Sequence, residues 1–266
     1  MISIRAIAFM TLAALLSLDS ITAEAMDHLN RDELRLLTGT SVAVVYLSTD
    51  KSVQPYIPQP GSPNLGVALV GAAVADHQMS EYLSLVRPYQ GLIDKLGLPQ
   101  ATQKGVEEGL ASIPALQQVP WATTLPDPDD KFFMKKQALK TQAQVVIFIQ
   151  PQFFMDSDIG SWYMITTIEI ETLAANGKTY DHFDGSMLRA KVEVDDDRLP
   201  PPVTPPPVTP PPDMDDDQLR AQRLFADGGV GFMQVYGGLL QQLQQQLYYF
   251  FTGKDTPPPA PRATAP

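Results

Sequence analysis

Two pairs of acidic residues, Asp156 with Asp158 and Glu169 with Glu171, sit two positions apart. Alternate residues of an extended chain project from one face, so each pair sets two carboxylates side by side. That is the arrangement with which a general acid and a base or nucleophile cleave a glycosidic bond. The competing reading is plain: acids at alternate positions also make the wet face of a sheet. A second cluster, Asp181-His182-Phe183-Asp184, flanks an imidazole with carboxylates. Neighbours in an extended segment point to opposite faces, so a polar turn is expected there rather than a catalytic group.

Other chemistries find less to stand on. The three histidines, His28, His77 and His182, form no H-E-x-x-H or similar ligand pair, and the acidic runs lack EF-hand spacing, so neither a metal nor a cofactor is expected. Cysteine is absent, which removes thiol nucleophiles, thiolate metal sites and disulfides together. Gly228-Gly-Val-Gly231 lacks the lysine and the preceding strand of a phosphate loop, and no G-x-S-x-G or G-x-G-x-x-G sequence occurs. No catalytic residue is assigned. A formal net charge of −11 argues against nucleic acid and anionic lipid as partners, since both require clustered Lys and Arg.

The elements that would position these residues alternate between strand and helix. Ser41 to Ser48 is a nearly continuous β-branched run suited to a strand covered on both faces. A turn-rich stretch follows, with Pro55, Pro58, Pro60, Gly61 and Pro63, and then a small apolar run from Gly66 to Ala75. Met79, Leu83, Val86, Ile93 and Leu96 recur at helical spacing, with Pro88 kinking that helix or starting a new one. Val106, Leu110 and Ile113 mark another helix, and Val119 to Leu125 a second strand. Asp127 to Asp130 supply the acidic start of a helix running to about Thr141. Val145 to Ile149 is a buried strand, Trp162 to Leu173 one with a wet face, and Asn176-Gly177 a hairpin turn into Lys178 to His182. Ser186 to Val194 reads as an edge strand. The order predicts a single α/β domain with a mixed β-sheet flanked by helices.

Strands like Ser41 to Ser48 and "QAQVVIFIQPQF" at Gln142 to Phe153, leading into the meander "WYMITTIEIETLAANGKTY", resemble bacterial envelope α/β domains. The pattern is similar to the TolB amino-terminal domain, the curli secretion lipoprotein and the lipoprotein activators of penicillin-binding proteins. The resemblance spans roughly Leu36 to Val194 plus the last helix, and it implies a non-enzymatic envelope adaptor or assembly factor. Those lipoproteins carry a cysteine after the signal, which Leu16 to Ala25 lacks here, and the long proline insert is foreign to the pattern.

The ends of the chain set its address and reach. Arg5, the apolar run Ala6 to Leu16 and Ala23-Glu24-Ala25 read as a cleavable export signal over 1–25, giving a periplasmic or secreted protein. The apolar run falls short of the roughly 20 residues a membrane span needs, so no integral span is expected in the mature chain. An α/β domain over 26–198 precedes a proline-rich, acid-flanked insert over 199–217, a C-terminal helix over 218–252 and a disordered proline-rich tail over 253–266. Pro202-Val-Thr-Pro205 and Pro207-Val-Thr-Pro210 fit P-x-x-P, which reads as a groove ligand or, more simply, as a stiff polyproline II spacer.

On the last helix Phe232, Tyr236, Leu240, Leu243, Leu247 and Phe250 form an apolar stripe opposite a glutamine-rich face. Such a stripe either completes the helical layer over the sheet or binds an envelope protein or a second copy. The expected function is an exported non-enzymatic protein working by contact in envelope assembly or maintenance. The alternatives are a carboxylate-dependent glycan hydrolase and a structural homo-oligomer built through the C-terminal helix.

Overall fold

A computed structural model describes residues 28–38, 40–47, 54–55, 80, 84–113, 117–118, 124–125, 131–156, 159–194 and 215–254. The export signal, the stretch 56–79, the proline insert up to Met214 and the tail from Asp255 lie outside these described residues, as does Asp158. Four long strands carry a mixed sheet: β1 (Ser41–Leu47), β5 (Val145–Met155), β6 (Ser161–Leu173) and β7 (Tyr180–Glu193). Short segments β2 (Gln54–Pro55), β3 (Gln117–Gln118) and β4 (Thr124–Leu125) complete it. The main order is β3-β1-β5-β6-β7, with β4 also on β1 and β2 also on β5. Pairings of β1 and β5 with each other and with the short segments are parallel, and β5-β6 and β6-β7 are antiparallel. The chain is therefore an α/β fold with a mixed sheet flanked by helices and a long C-terminal helix.

Alternation along the strands sorts the core into two layers. Val42, Val44, Tyr46, Ile147, Ile149, Trp162, Met164, Ile168, Ile170, Leu188 and Ala190 face the larger layer. Over them lie α1 (Arg31–Leu37), α2 (Gln90–Ile93), α3 (Leu98–Ala111) and α5 (Asp216–Thr252). Ala43, Val45, Val146 and Phe148 face the other way, against Met134 and Ala138 of α4 (Lys131–Lys140). Because β1 and β5 are covered on both faces, they read as unbroken apolar runs.

Local chemistry explains where elements begin and bend. Asn30 and Glu33 exchange backbone-to-side-chain bonds of 3.1 and 2.6 Å, a capping box that starts α1, which the apolar periodicity did not reveal. Pro88 opens a 3₁₀ turn, Arg87–Tyr89, consistent with the expected new start. Pro151 lies inside β5, between Ile149, the last residue paired to β1, and Phe154, the first paired to β2, where its missing N–H breaks no described β1 or β2 pairing. Of the strand expected over Val119 to Leu125, the described residues hold its end, β4, which pairs with β1 as β3 does, while 119–123 lie outside the described residues.

The last helix starts at Asp216, two residues before the expected 218, because the Asp215 carboxylate accepts the Gln218 N–H at 2.8 Å. It is interrupted at 226–229, where Asp227, Gly228 and Gly229 take φ of 52, 78 and 84°. Glycine tolerates that region without a Cβ penalty. The bend lets Phe225 stack both on Tyr89, at 4.6 Å, and on Phe232, at 5.2 Å. Beyond it, α5 crosses α3 closely: a Cβ on Gly105 would meet Leu240 at 3.1 Å, and one on Gly109 would meet Gln244 and Leu247 at 3.3 Å.

This packing decides the fate of the apolar stripe. Phe232, Tyr236, Leu243, Leu247 and Phe250 are buried, and Leu240 packs against the same core. The expectation that these six residues bind a partner, or join copies through the helix, is corrected: the sheet and α3 already cover them. The larger core also holds one buried polar node. The Thr102 hydroxyl donates to the Leu98 carbonyl at 2.8 Å, the Tyr236 hydroxyl donates to the same oxygen at 3.0 Å, and the two hydroxyls are in contact. Burial pushes the Tyr236 phenol up to about 12. Among the described residues no helix is long and apolar enough to cross a membrane.

Candidate functional site

Charged groups converge on the face of the sheet beneath α4. Glu169 and Glu171 project from β6 toward α4, where Lys131 bonds Glu169 and Lys135 meets Glu171 at 2.6 Å. The spacings match: four residues of helix rise about 6 Å, and two residues of strand span roughly 6.7 Å. Two lysines one helical turn apart therefore fall over two glutamates at alternate strand positions. Glu171 is only 3% exposed, and its Oε2 is buried with no hydrogen bond.

A bulge adds the imidazole. Pairing passes from Ile170↔Asp184 to Glu171↔His182, leaving Phe183 as the extra residue on β7. Phe183 thereby turns toward the larger core, and His182 comes opposite Glu171 on the lysine–glutamate side. Tyr180 ends the row: its hydroxyl donates to the Ala143 carbonyl at 2.7 Å, and burial, reinforced by the Glu171 charge, pushes it up to about 12. The Asp181–Asp184 segment is thus strand with a bulge rather than a turn. Asp184 accepts from the Gly185 N–H at 2.7 Å, and Asp181 is exposed.

The electrostatics oppose acid catalysis by this pair. Partial burial pushes the Glu169 carboxyl up, yet the Lys131 hydrogen bond and the charges of Lys131, Lys135 and His182 outweigh it, so the group is held below the usual carboxylate range. A general acid working near neutrality needs the opposite shift. Each carboxylate is matched to its own lysine. Of the other acidic pair, Asp156 accepts the Ser161 N–H at 2.9 Å in the β5-β6 turn, and Asp158 lies outside the described residues. Among the described residues no group of three or more His, Asp or Glu side chains is placed to hold a metal ion.

What α4 shows outward is different in kind. Phe132 is 68% and Phe133 55% exposed, with the Lys136 ammonium 4.3 Å from the Phe132 ring centre. Helical periodicity in KFFMKKQALK is weak, so the sequence marks no buried face, and Met134 with Ala138 fills that role. On the same side of the sheet the Arg189 guanidinium lies 4.9 Å and the Lys191 ammonium 5.8 Å from the Tyr163 ring centre.

Together these features define a three-layer α/β domain whose smaller layer, among the described residues, is one helix, clamped by two ion pairs and presenting two phenylalanines. No protein-family model matches the chain, and no curated protein matches it in sequence. Among solved structures it is similar to a hypothetical protein from Chlamydia trachomatis, at 11% identity over 81% of this chain and 99% of that one, with a TM-score of 0.34. A likeness of that size carries over neither fold nor function.

Proposed function

We propose that this chain is an exported, non-enzymatic protein that works through protein contacts in the assembly or maintenance of a bacterial cell envelope, with α4 as the contacting element. The observation that carries the reading is the adjacent pair Phe132 and Phe133, exposed beside Lys136 on a helix whose Lys131 and Lys135 are engaged by the sheet. Exposed paired aromatics contribute little to a fold and much to an interface. The reading also draws on the envelope-domain resemblance of the sequence, and the lysine-matched glutamates speak against glycan hydrolysis.

Export draws on the signal-like residues 1–25 and on how the fold begins. Leu29 is fully buried and its N–H donates to the Phe250 carbonyl at 3.1 Å, so cleavage after Ala25 would leave the core intact. Cell fractionation with amino-terminal sequencing of the mature protein tests this, and a cytoplasmic chain beginning at Met1 would refute it. Crosslinking in intact envelopes tests the contact. A specific adduct formed by the native chain and lost in Phe132→Ser/Phe133→Ser is expected, and an adduct pattern unchanged by that double substitution would refute the role of α4.

A further inference from the structure

The ten residues of α4, KFFMKKQALK, hold four lysines and no acid, in a chain whose formal net charge is −11. Lys131 and Lys135 are engaged by Glu169 and Glu171. Lys136 and Lys140 are exposed, as are Phe132 and Phe133, and Lys136 stands over the Phe132 ring. The outward face of α4 is therefore aromatic and cationic together. Proline-rich segments suit aromatic surfaces, because they are extended before they dock and lose little freedom in docking. Acids beside the prolines would suit the lysines.

One segment of this chain has both properties. Pro200 to Pro212 contains the frames Pro202-Val-Thr-Pro205 and Pro207-Val-Thr-Pro210, with Asp195 to Asp197 before it, Asp213 after it and Arg198 as the cation between. The segment lies outside the described residues, but both of its anchors are fixed. The Val194 N–H donates to the Gly160 carbonyl at 2.8 Å, and Asp215 caps α5 in the layer on the opposite side of the sheet from α4.

These anchors decide between the chain's own α4 and another copy's. Lys131 and Phe132 lie at the level of Glu169, and the register sets that level about 27 Å along β6 from Ser161, beside the end of β7. A contact within one chain would run that far, pass over α4 and return to the opposite face of the sheet. The twenty residues 195–214 reach at most roughly 70 Å. The proline stretch, semi-rigid over roughly 40 Å as polyproline II, resists the reversal this path needs. An arm projecting from one copy meets no such constraint at the α4 of another.

We propose that the acid-flanked proline segment 195–214 of one copy docks on Phe132, Phe133, Lys136 and Lys140 of a second copy. This rests on the reading of α4 as the contacting element and names its partner. Each copy offers one surface and one arm, so mutual exchange closes a dimer and one-way docking extends a chain.

The test follows the mass of the full mature chain by light scattering, up to about 1 mM protein. The native mass is expected to rise to twice the monomer value or beyond, and to fall back with added salt, which screens exposed charges. Phe132→Ser/Phe133→Ser should stay monomeric, and so should a chain in which Pro200 to Pro212 are replaced by an equal length of Gly and Ser. Mixed in equal amounts, the two variants should recover a dimer, because each keeps the half that the other lacks. A native chain that is monomeric throughout, association that survives in either variant, or a mixture that stays monomeric overturns the proposal. If the phenylalanine variant does not fold, Lys136→Glu/Lys140→Glu takes its place in the same measurement. A monomeric native chain that still gives an envelope adduct lost in Phe132→Ser/Phe133→Ser overturns the second copy as partner and leaves the role of α4 standing.

Discussion

Glu171 shows how a single side chain can depend on its partner. It is almost fully buried, one oxygen meets Lys135 at 2.6 Å, and the other has no hydrogen bond. Replacing Lys135 by Met keeps most of the packing and strands a buried charge, which is expected to cost about 1–3 kcal/mol. Lys131→Met should cost less, because Glu169 is more exposed than Glu171 and water replaces part of the interaction. Urea unfolding of the two variants checks that order.

Tyr236 makes a pH prediction at the same scale. Its phenol titrates near 12 in the fold, pushed up by burial, against roughly 10 in an unfolded chain. Above the unfolded value the unfolded chain gives up a proton that the folded chain keeps, so unfolding gains with rising pH. The stabilising contribution is whole below the unfolded pKa and is lost as pH rises through the folded one. Tyr236→Phe should lose about 1 kcal/mol at pH 7 with the Leu98 hydrogen bond. The deficit should narrow as alkaline unfolding is approached, which stability measured as a function of pH reads directly.

Among the elements, the crossing of α3 and α5 is the contact most sensitive to volume. Gly105 and Gly109 lie one turn apart and let Leu240, Gln244 and Leu247 approach the α3 backbone. Gly109→Leu would force the helices apart and is expected to destabilise by about 1–3 kcal/mol. The gain in helix propensity from removing a glycine offsets part of that. Thermal unfolding compared with Gly91→Leu, where an added Cβ meets nothing within 4 Å, separates the crossing from propensity. The same crossing aligns the glutamine face of α5 with the edge of β7, where Gln242 accepts the Lys191 N–H at 3.0 Å and donates to the Lys191 carbonyl at 2.8 Å. Distortion at Gly109 should therefore also quicken hydrogen exchange at Lys191.

For the whole molecule, the two faces of the sheet divide the work. The larger layer takes the apolar stripe of α5, most of the buried aromatics and both ends of the described chain, where Leu29 meets Phe250. The smaller layer, among the described residues, rests on one short helix whose aromatics face away from the core. Phe132→Ser/Phe133→Ser is therefore expected to change stability by no more than about 0.5 kcal/mol. Differential scanning calorimetry checks this, and a large loss of stability would mean that the pair serves folding rather than contact.

Apolar runs and turn letters were enough to place β1, the start of β5, β6 and the turn at Asn176-Gly177, because those signals come from period and local backbone preference. The same residues could not tell whether the stripe from Phe232 to Phe250 met a partner or the domain itself, since a helix face looks alike in either case. Nor could they show that Glu169 and Glu171 face lysines rather than a cleft, or that a bulge at Phe183 brings His182 beside them. Only the packing of α4 across β6 decided the first, and only the β6-β7 register the second. The glutamines read as a merely polar face, and their role at the β7 edge arose from the angle at which α5 crosses the sheet. Period and composition are properties of neighbours in the chain. Which charges meet, which apolar face is covered and which strand edge is closed depend on residues far apart in sequence, and tertiary packing decided all three.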